Sequence, residues 1–275
     1  PDFQHDFEYT AEEQVLAQEH SLTQEQVRWR RGKILELGDL FWQEHVESLD
    51  TCFLTVGQPY YDVTAALALT RLVYKPPVHR DGVLIWEEPI EGVRYVMGVD
   101  PGQARQTESV AWVVRDDPER GPVGVALLGG LFEPDVMGAK TIPLARVYNG
   151  AKVIPEANGH GIAYIDAIKH RYNNIYVRRD LERGTPIQRL GWMTTTRTKP
   201  YMMDAINRHL RKCVIPDAET VSQIRGFRSL GLGKYETKRP DDRHDAWGLA
   251  LMALGMDKGG QRGFRGTSGF TSWDR

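Results

Sequence analysis

The sequence predicts an α/β fold, a mixed β-sheet with helices on its faces, preceded by a helical segment. Two capped amphipathic patterns lie before residue 40, and four apolar runs with strand-like alternation lie between Gly82 and Leu131. After Val136 the pattern changes to helix, strand, helix, strand, as a layered α/β domain requires.

The helical segment comes first. Thr10 to Glu19 (TAEEQVLAQE) starts on a capping threonine with acids in its first turn, and Thr23 to Leu37 repeats this with Gln26 three residues after Thr23. Asp39 to Glu47 predicts a further helical turn or two, and Gly57-Gln58-Pro59 a turn. Pro76-Pro77 predicts a boundary, giving segments 1–80, 81–256 and a Gly, Arg and Ser-rich tail, 257–275, expected to be flexible.

The second segment opens with strands. Gly82 to Glu87 and Gly92 to Val99 are expected to flank a turn at Pro89-Ile90-Glu91-Gly92. Glu108 to Val114 and Val123 to Leu131 continue a β-meander whose first long strand ends at Asp100. Helices are expected over Val136 to Tyr148, Gly161 to Tyr172 and Lys199 to Lys212, with short strands at Lys152 to Ile154, Asn174 to Val177 and Val214-Ile215. Val221 to Tyr235 reads as a hairpin turning at Gly231-Leu232-Gly233-Lys234, and Asp241 to Leu254 as a last helix with acids in its first turn.

Composition narrows the function. With 275 residues and 41% hydrophobic content the chain can bury a sizeable core. Its apolar runs fall short of the roughly 20 residues of a membrane span, and no signal segment opens it, so an intracellular protein is expected. Cys52 and Cys213 are too far apart in sequence to suggest a metal-ligand pair or a disulfide framework. The net charge of −2 hides an asymmetry: residues 1–100 carry 18 Asp/Glu against 8 Lys/Arg, whereas residues 178–240 carry 14 Lys/Arg against 6 Asp/Glu. That basic stretch is a possible phosphate-binding surface.

Three acids sit at the ends of elements. Asp100 follows the strand Tyr95 to Val99 and precedes Pro101-Gly102; Glu156 follows Val153-Ile154-Pro155 in the stretch IPEANGHG; Asp245 lies in DDRHDAW at the start of the last helix. Carboxylates from two strand ends and a helix N-terminus can converge at one sheet edge, where mutual repulsion favours a cation between them. Hard cations such as Mg²⁺ and Mn²⁺ take such oxygen ligands, and two of them serve phosphodiester hydrolysis. Other chemistries lack their motifs: there is no Gly-x-Ser-x-Gly turn and no His-Glu-x-x-His helix, and GFRSLGLGK is followed by Tyr235-Glu236 where a phosphate loop needs Ser or Thr.

Four segments together resemble the C-terminal half of phage terminase large subunits: LTQEQVRWRRGKILELGDLFWQEHVES (22–48), MGVDPGQARQTESVAWVV (97–114), ARVYNGAKVIPEANGHGIAYIDAIKHRYNNIYVR (145–178), and TRTKPYMMDAINRHL (196–210) with DDRHDAWGLALMAL (241–254). The resemblance implies an RNase H-like mixed β-sheet flanked by helices, following an N-terminal helical linker. It implies a metal-dependent, largely sequence-nonspecific endodeoxyribonuclease that cuts concatemeric duplex DNA with two Mg²⁺ or Mn²⁺ ions. The resemblance makes Asp100 and Glu156 metal ligands and catalytic residues; the third ligand comes from Asp241, Asp242 or Asp245, of which aligning Ala246-Trp247-Gly248-Leu249 with the family's last helix favours Asp245, with Asp242, three residues earlier on the same helix face, a candidate fourth ligand. Glu108 stands where related sequences often carry another acid, and a structural role suits it equally.

Asn158, His160 and His244 are candidates to support the ligands. Lys199, Arg208, Arg225, Arg228 and Lys234 are candidates to hold duplex DNA by its phosphates. The resemblance further implies the portal and the small terminase subunit as partners, the host cytoplasm and the procapsid portal as location, and no membrane. With no ATPase motif, the chain is expected to be a nuclease fragment with its linker. A junction resolvase or other RNase H-type enzyme, or a non-catalytic portal or motor docking module, are the competing expectations.

Overall fold

The computed structural model describes residues 8–37, 41, 45, 58–70, 74–104, 106–179, 186–231, 234–237 and 240–256. The helical turn expected over Asp39 to Glu47, Cys52 and the tail 257–275 lie outside the described residues, apart from residues 41 and 45. The expected turns at Gly57-Gln58-Pro59 and Gly231 to Lys234 are described only in part. The chain divides into two compact units, Pro1–Gln58 and Pro59–Arg275.

The first unit contains α1 (Ala11–His20) and α2 (Gln24–Leu37). Thr10 and Glu13 form a reciprocal capping box, and Thr23 and Gln26 make the same exchange, so the expected helix starts are met. Arg31 on α2 grips both oxygens of the buried Glu13 at 2.6 Å. That guanidinium pulls the Glu13 carboxyl down to about 2.

The second unit begins with α3 (Val63–Thr70), whose Ala65, Ala66 and Leu69 belong to the same core cluster as Val221 and Ile224. This shared burial moves the boundary ahead of α3, upstream of the Pro76-Pro77 expected to mark it. The sheet comprises β1 (Val78–Arg80), β2 (Val83–Ile85), β3 (Tyr95–Asp100), β4 (Ser109–Asp117), β5 (Gly121–Gly130) and β6 (Lys152–Pro155). Among the described residues its order is β1-β2-β5-β4-β3-β6. All neighbours are antiparallel except β3 and β6, which run parallel.

The meander β3-β4-β5 is as expected. β2 does not pair with β3 across the Pro89 turn; it lies on the far side of the meander, between β1 and β5, with Leu84 opposite Leu127. Alternation reports which residues face a core but not which strand lies alongside.

α4 (Pro134–Val147) and α5 (His160–Ile168) cover one face of the sheet, where Met137, Ile142, Leu144, Tyr164 and Ile168 join Met97, Val99, Ala111 and Val113. A two-stranded ribbon, β7 (Val177–Arg179) and β8 (Pro186–Leu190), follows; β8 is absent from the sequence expectation, and the strand expected over Asn174 to Val177 reduces to an isolated bridge at Ile175 and the first residue of β7.

On the other face lie α6 (Lys199–His209), α7 (Ala218–Gly226) and α8 (Asp242–Met256), packed through Met202, Ile206, Ile224, Trp247 and Ala250 onto Val96, Trp112 and Val114. Residues 221–226 are helical rather than the first arm of a hairpin, because Asp217 caps this helix, its Oδ2 accepting from the Thr220 N–H at 2.8 Å and the Thr220 hydroxyl at 2.6 Å. The hairpin is shorter, β9 (Arg228–Gly231) with β10 (Lys234–Glu236). Among the described residues no helix is long and apolar enough to cross a membrane.

One contact sets the spacing between the two layers. A Cβ on Gly98, in the middle of β3, would lie 2.0 Å from the Ala246 carbonyl oxygen and 2.4 Å from the Ala250 nitrogen, so α8 rests directly on the strand backbone. Gly98→Ala is expected to lower stability by about 1–3 kcal/mol, since neither backbone can yield cheaply. Urea denaturation of the two proteins checks this; equal midpoints would show that α8 can lift off β3 without cost.

Candidate metal and phosphate site

Parallel pairing of β3 with β6 brings the first two acids together. Val99 is in register with Pro155, so Asp100 and Glu156 leave adjacent strands at the same edge, and the Glu156 N–H donates to the Val99 carbonyl at 2.8 Å. Gly161 then lets α5 start directly behind Glu156: a Cβ there would be 1.9 Å from the Glu156 carbonyl oxygen. Asp245 arrives from the opposite layer, one residue before the Ala246 that rests on Gly98.

The electrostatics of Asp100 record this convergence. Burial, the charges of Glu156 and Asp245, a hydrogen bond with Glu156 and the charge of Asp242 together push its carboxyl well above the usual carboxylate range. Asp242 is itself raised to about 6, by burial first and then by Asp241.

Asp245 behaves differently because it is compensated. Burial alone would raise it, but the hydrogen bond and charge of His244 and the ammonium of Lys199 outweigh burial and hold it below its ordinary value. His244 Nδ1 lies 2.7 Å from Asp245 Oδ1, and Tyr61 Oη lies 2.6 Å from His244 Nε2. Burial keeps the Tyr61 hydroxyl protonated far above its usual range. The Tyr61 hydroxyl and His244 Nε2 share one of these hydrogen bonds, and His244 Nδ1 donates the other to the Asp245 carboxylate. The imidazole stacks on Phe227 with centroids 4.1 Å apart and is fully buried.

A second network anchors the helix end. Gln223 Oε1 accepts from the Arg243 and His244 N–H groups at 2.9 and 3.0 Å, satisfying two donors of the first turn of α8. The Arg243 guanidinium grips Glu108 with two bonds, 3.0 and 2.9 Å, and Asp217 with two more, 2.9 and 3.1 Å. Glu108 is thus a structural partner of Arg243 at the entrance to β4. Arg243 and Gln223 escaped sequence reasoning because their partners lie 20 to 135 residues away.

The remaining sequence candidates are distributed unequally. Asn158 is engaged on both ends of its amide by Thr194, donating to its carbonyl at 2.6 Å and accepting its N–H at 2.9 Å, so it shapes the turn after Glu156. His160 is exposed at the start of α5. Lys199 lies inside the acid cluster, 2.7 Å from Asp241 Oδ2 and 2.8 Å from Asp245 Oδ2. Arg228 is buried and donates to the Arg225 carbonyl at 2.8 Å, whereas Arg208 and Lys234 are exposed and Arg225 is half-buried.

Among the described residues no group of three or more His, Cys, Asp or Glu side chains forms a ready-made metal cage. The donor chemistry nevertheless fits a hard divalent cation. Such ions bind through one or two carboxylates and leave the rest of the shell to water and phosphate. Asp100 and Glu156, sharing a hydrogen bond at one edge, are such a pair.

No protein-family model matches the chain, and no curated protein sequence matches it. The structure is similar to crystal structures of the large terminase nuclease from thermophilic phage G20c. The form with bound magnesium has 19% sequence identity and a TM-score of 0.53, over 68% of this chain and 96% of that one. The form with bound cobalt has 20% identity and a TM-score of 0.52 over the same shares. The fold is therefore the RNase H-like mixed α/β fold of large terminase nuclease domains.

Arg243→Met removes the cation shared by Glu108 and Asp217 and leaves both carboxylates partly buried. A stability loss of about 3 kcal/mol is expected, read from urea unfolding; an unchanged midpoint would mean that the guanidinium does not hold the α8 end in place.

Proposed function

We propose that this chain carries the nuclease of a viral DNA-packaging terminase large subunit, a divalent-metal-dependent endodeoxyribonuclease that hydrolyses duplex DNA with little regard to sequence. The observation that carries the reading is the meeting of Asp100 and Glu156 on adjacent parallel strands with Asp245 beside them, a grouping that pushes the Asp100 carboxyl well above the usual carboxylate range. So costly a cluster of like charges needs a counter-charge, and the fold shared with the G20c nuclease, crystallised with magnesium and with cobalt, supports a divalent one.

In this reading Asp100, Glu156 and Asp245 would hold a pair of Mg²⁺ or Mn²⁺ ions, with Asp242 as a further ligand. Bound there, the ions supply Lewis acidity to the phosphate and activate water for in-line attack. The chain's own residues do the rest. Asp100 and Glu156 would offer their oxygens to the ions from the ends of adjacent strands. His244, held by Tyr61, fixes the plane of the Asp245 carboxylate and presents its other oxygen to the site. Arg243, tied to Glu108 and Asp217, keeps the first turn of α8 from moving away as charge changes.

DNA reaches this edge through phosphate contacts. Arg208, Arg225 and Lys234 are the proposed contacts, with Lys199 joining them only when its carboxylates are otherwise satisfied and Arg228 acting by supporting the Arg225 backbone. Such contacts position a duplex without reading bases, which suits a cut that must be made at many sequences. Portal and small-subunit binding belong to the same proposal, as partners of the complete packaging machine.

The purified chain is expected to nick supercoiled plasmid in Mn²⁺ or Mg²⁺ and to stop when EDTA is added. Asp100→Asn and Glu156→Gln should reduce nicking to background while the proteins stay folded. A wild type inert with every divalent ion tried, or an Asp100→Asn protein that cuts normally, would favour a docking module over a nuclease. In duplex-binding titrations, Arg208→Ala and Lys234→Ala should each weaken affinity equally for unrelated sequences and flatten the plot of log affinity against log salt by about one. A loss confined to one sequence would point to base readout.

A further inference from the structure

Lys199 is the first residue of α6 and was expected, from sequence, to face DNA. Its ammonium instead lies between Asp241 and Asp245, 2.7 and 2.8 Å from one oxygen of each. The side chain is 12% exposed, and its charge also sits 5.8 Å from the ring centres of both Phe227 and Tyr235. With His244 on the other oxygen, both oxygens of Asp245 already have partners. We propose that Lys199 is a built-in counter-ion of the acid cluster, which competes with the divalent cation for Asp245 and must be displaced before the site can load fully.

The inference rests on the reading that these acids bind a divalent cation. A cation on Asp245 Oδ2 would share an oxygen with the ammonium, and like charges at such separation repel where burial weakens the screening by water. Release of Lys199 needs no refolding. The backbone at the head of α6 is anchored separately: the Lys199 and Thr198 N–H groups bond to the Thr195 carbonyl at 2.9 and 3.1 Å, so the flexible four-carbon stem alone has to swing. A duplex phosphate offers the freed ammonium an equivalent anion. Lys199 thus balances the charge of Asp241 and Asp245, makes cation binding weak in the absence of DNA, and couples loading of the site to arrival of the substrate backbone.

A merely structural staple between α6 and α8 would use the same two bonds, so metal affinity separates the alternatives. Mn²⁺ binding is measured by calorimetry, without DNA, on the wild type, Lys199→Met and Lys199→Arg. Lys199→Met is expected to bind Mn²⁺ about tenfold tighter or more, and Lys199→Arg, which keeps the charge, to bind as the wild type does. Without metal, Lys199→Met should melt at a lower temperature than the wild type, and saturating Mn²⁺ should raise its melting point by more. Lys199→Gln carries the same expectation should the methionine variant not fold. Equal or weaker Mn²⁺ binding by the charge-removed variants overturns the role of Lys199 while leaving the cation site intact. Absence of Mn²⁺ binding from all of them overturns the cation reading itself, and this inference with it.

Discussion

The site depends on how closely α8 approaches β3. At Gly98 a strand and a helix touch backbone to backbone, without a side chain between them. This contact fixes the height of Ala246 above the sheet and therefore that of Asp245, its neighbour. A methyl group at Gly98 would push α8 outward, moving one acid away from the two at the strand ends. Trp112 and Trp247, both buried and packed edge to face at 5.4 Å, brace the same interface further along.

Bringing carboxylates this close is unfavourable, and the surrounding structure consists largely of devices that make it tolerable. Burial and its acidic neighbours push the Asp100 carboxyl well above the usual carboxylate range. Asp245 is stabilised as an anion by His244 and Lys199, and Arg243 is balanced by Glu108 and Asp217 so that its charge holds the helix end.

The N-terminal unit uses simpler physics. Its two helices start at reciprocal caps, and Arg31 of α2 reaches back to the Glu13 that completes the α1 cap, so one carboxylate serves a helix start and an interhelical ion pair. These are interactions over a few residues, or between neighbouring helices, which explains why this segment matched its sequence pattern so closely.

By itself the sequence determined the elements whose signals are local: the capped helices at Thr10 and Thr23, the meander ending at Asp100, and the acids Asp100, Glu156 and Asp245 at element ends. The likeness of four segments to terminase large subunits reached the RNase H-like fold that the structure bears out. Tertiary structure decided everything that depends on a distant partner. It sent β2 to the far side of the meander, turned residues 221–226 into a helix capped by Asp217, tied Asn158 to Thr194 and drew Lys199 inward to Asp241 and Asp245. The reason is physical. Periodicity and caps report a residue's nearest neighbours along the chain, whereas the fate of a charge depends on which opposite charges the fold places beside it and how far both are from water.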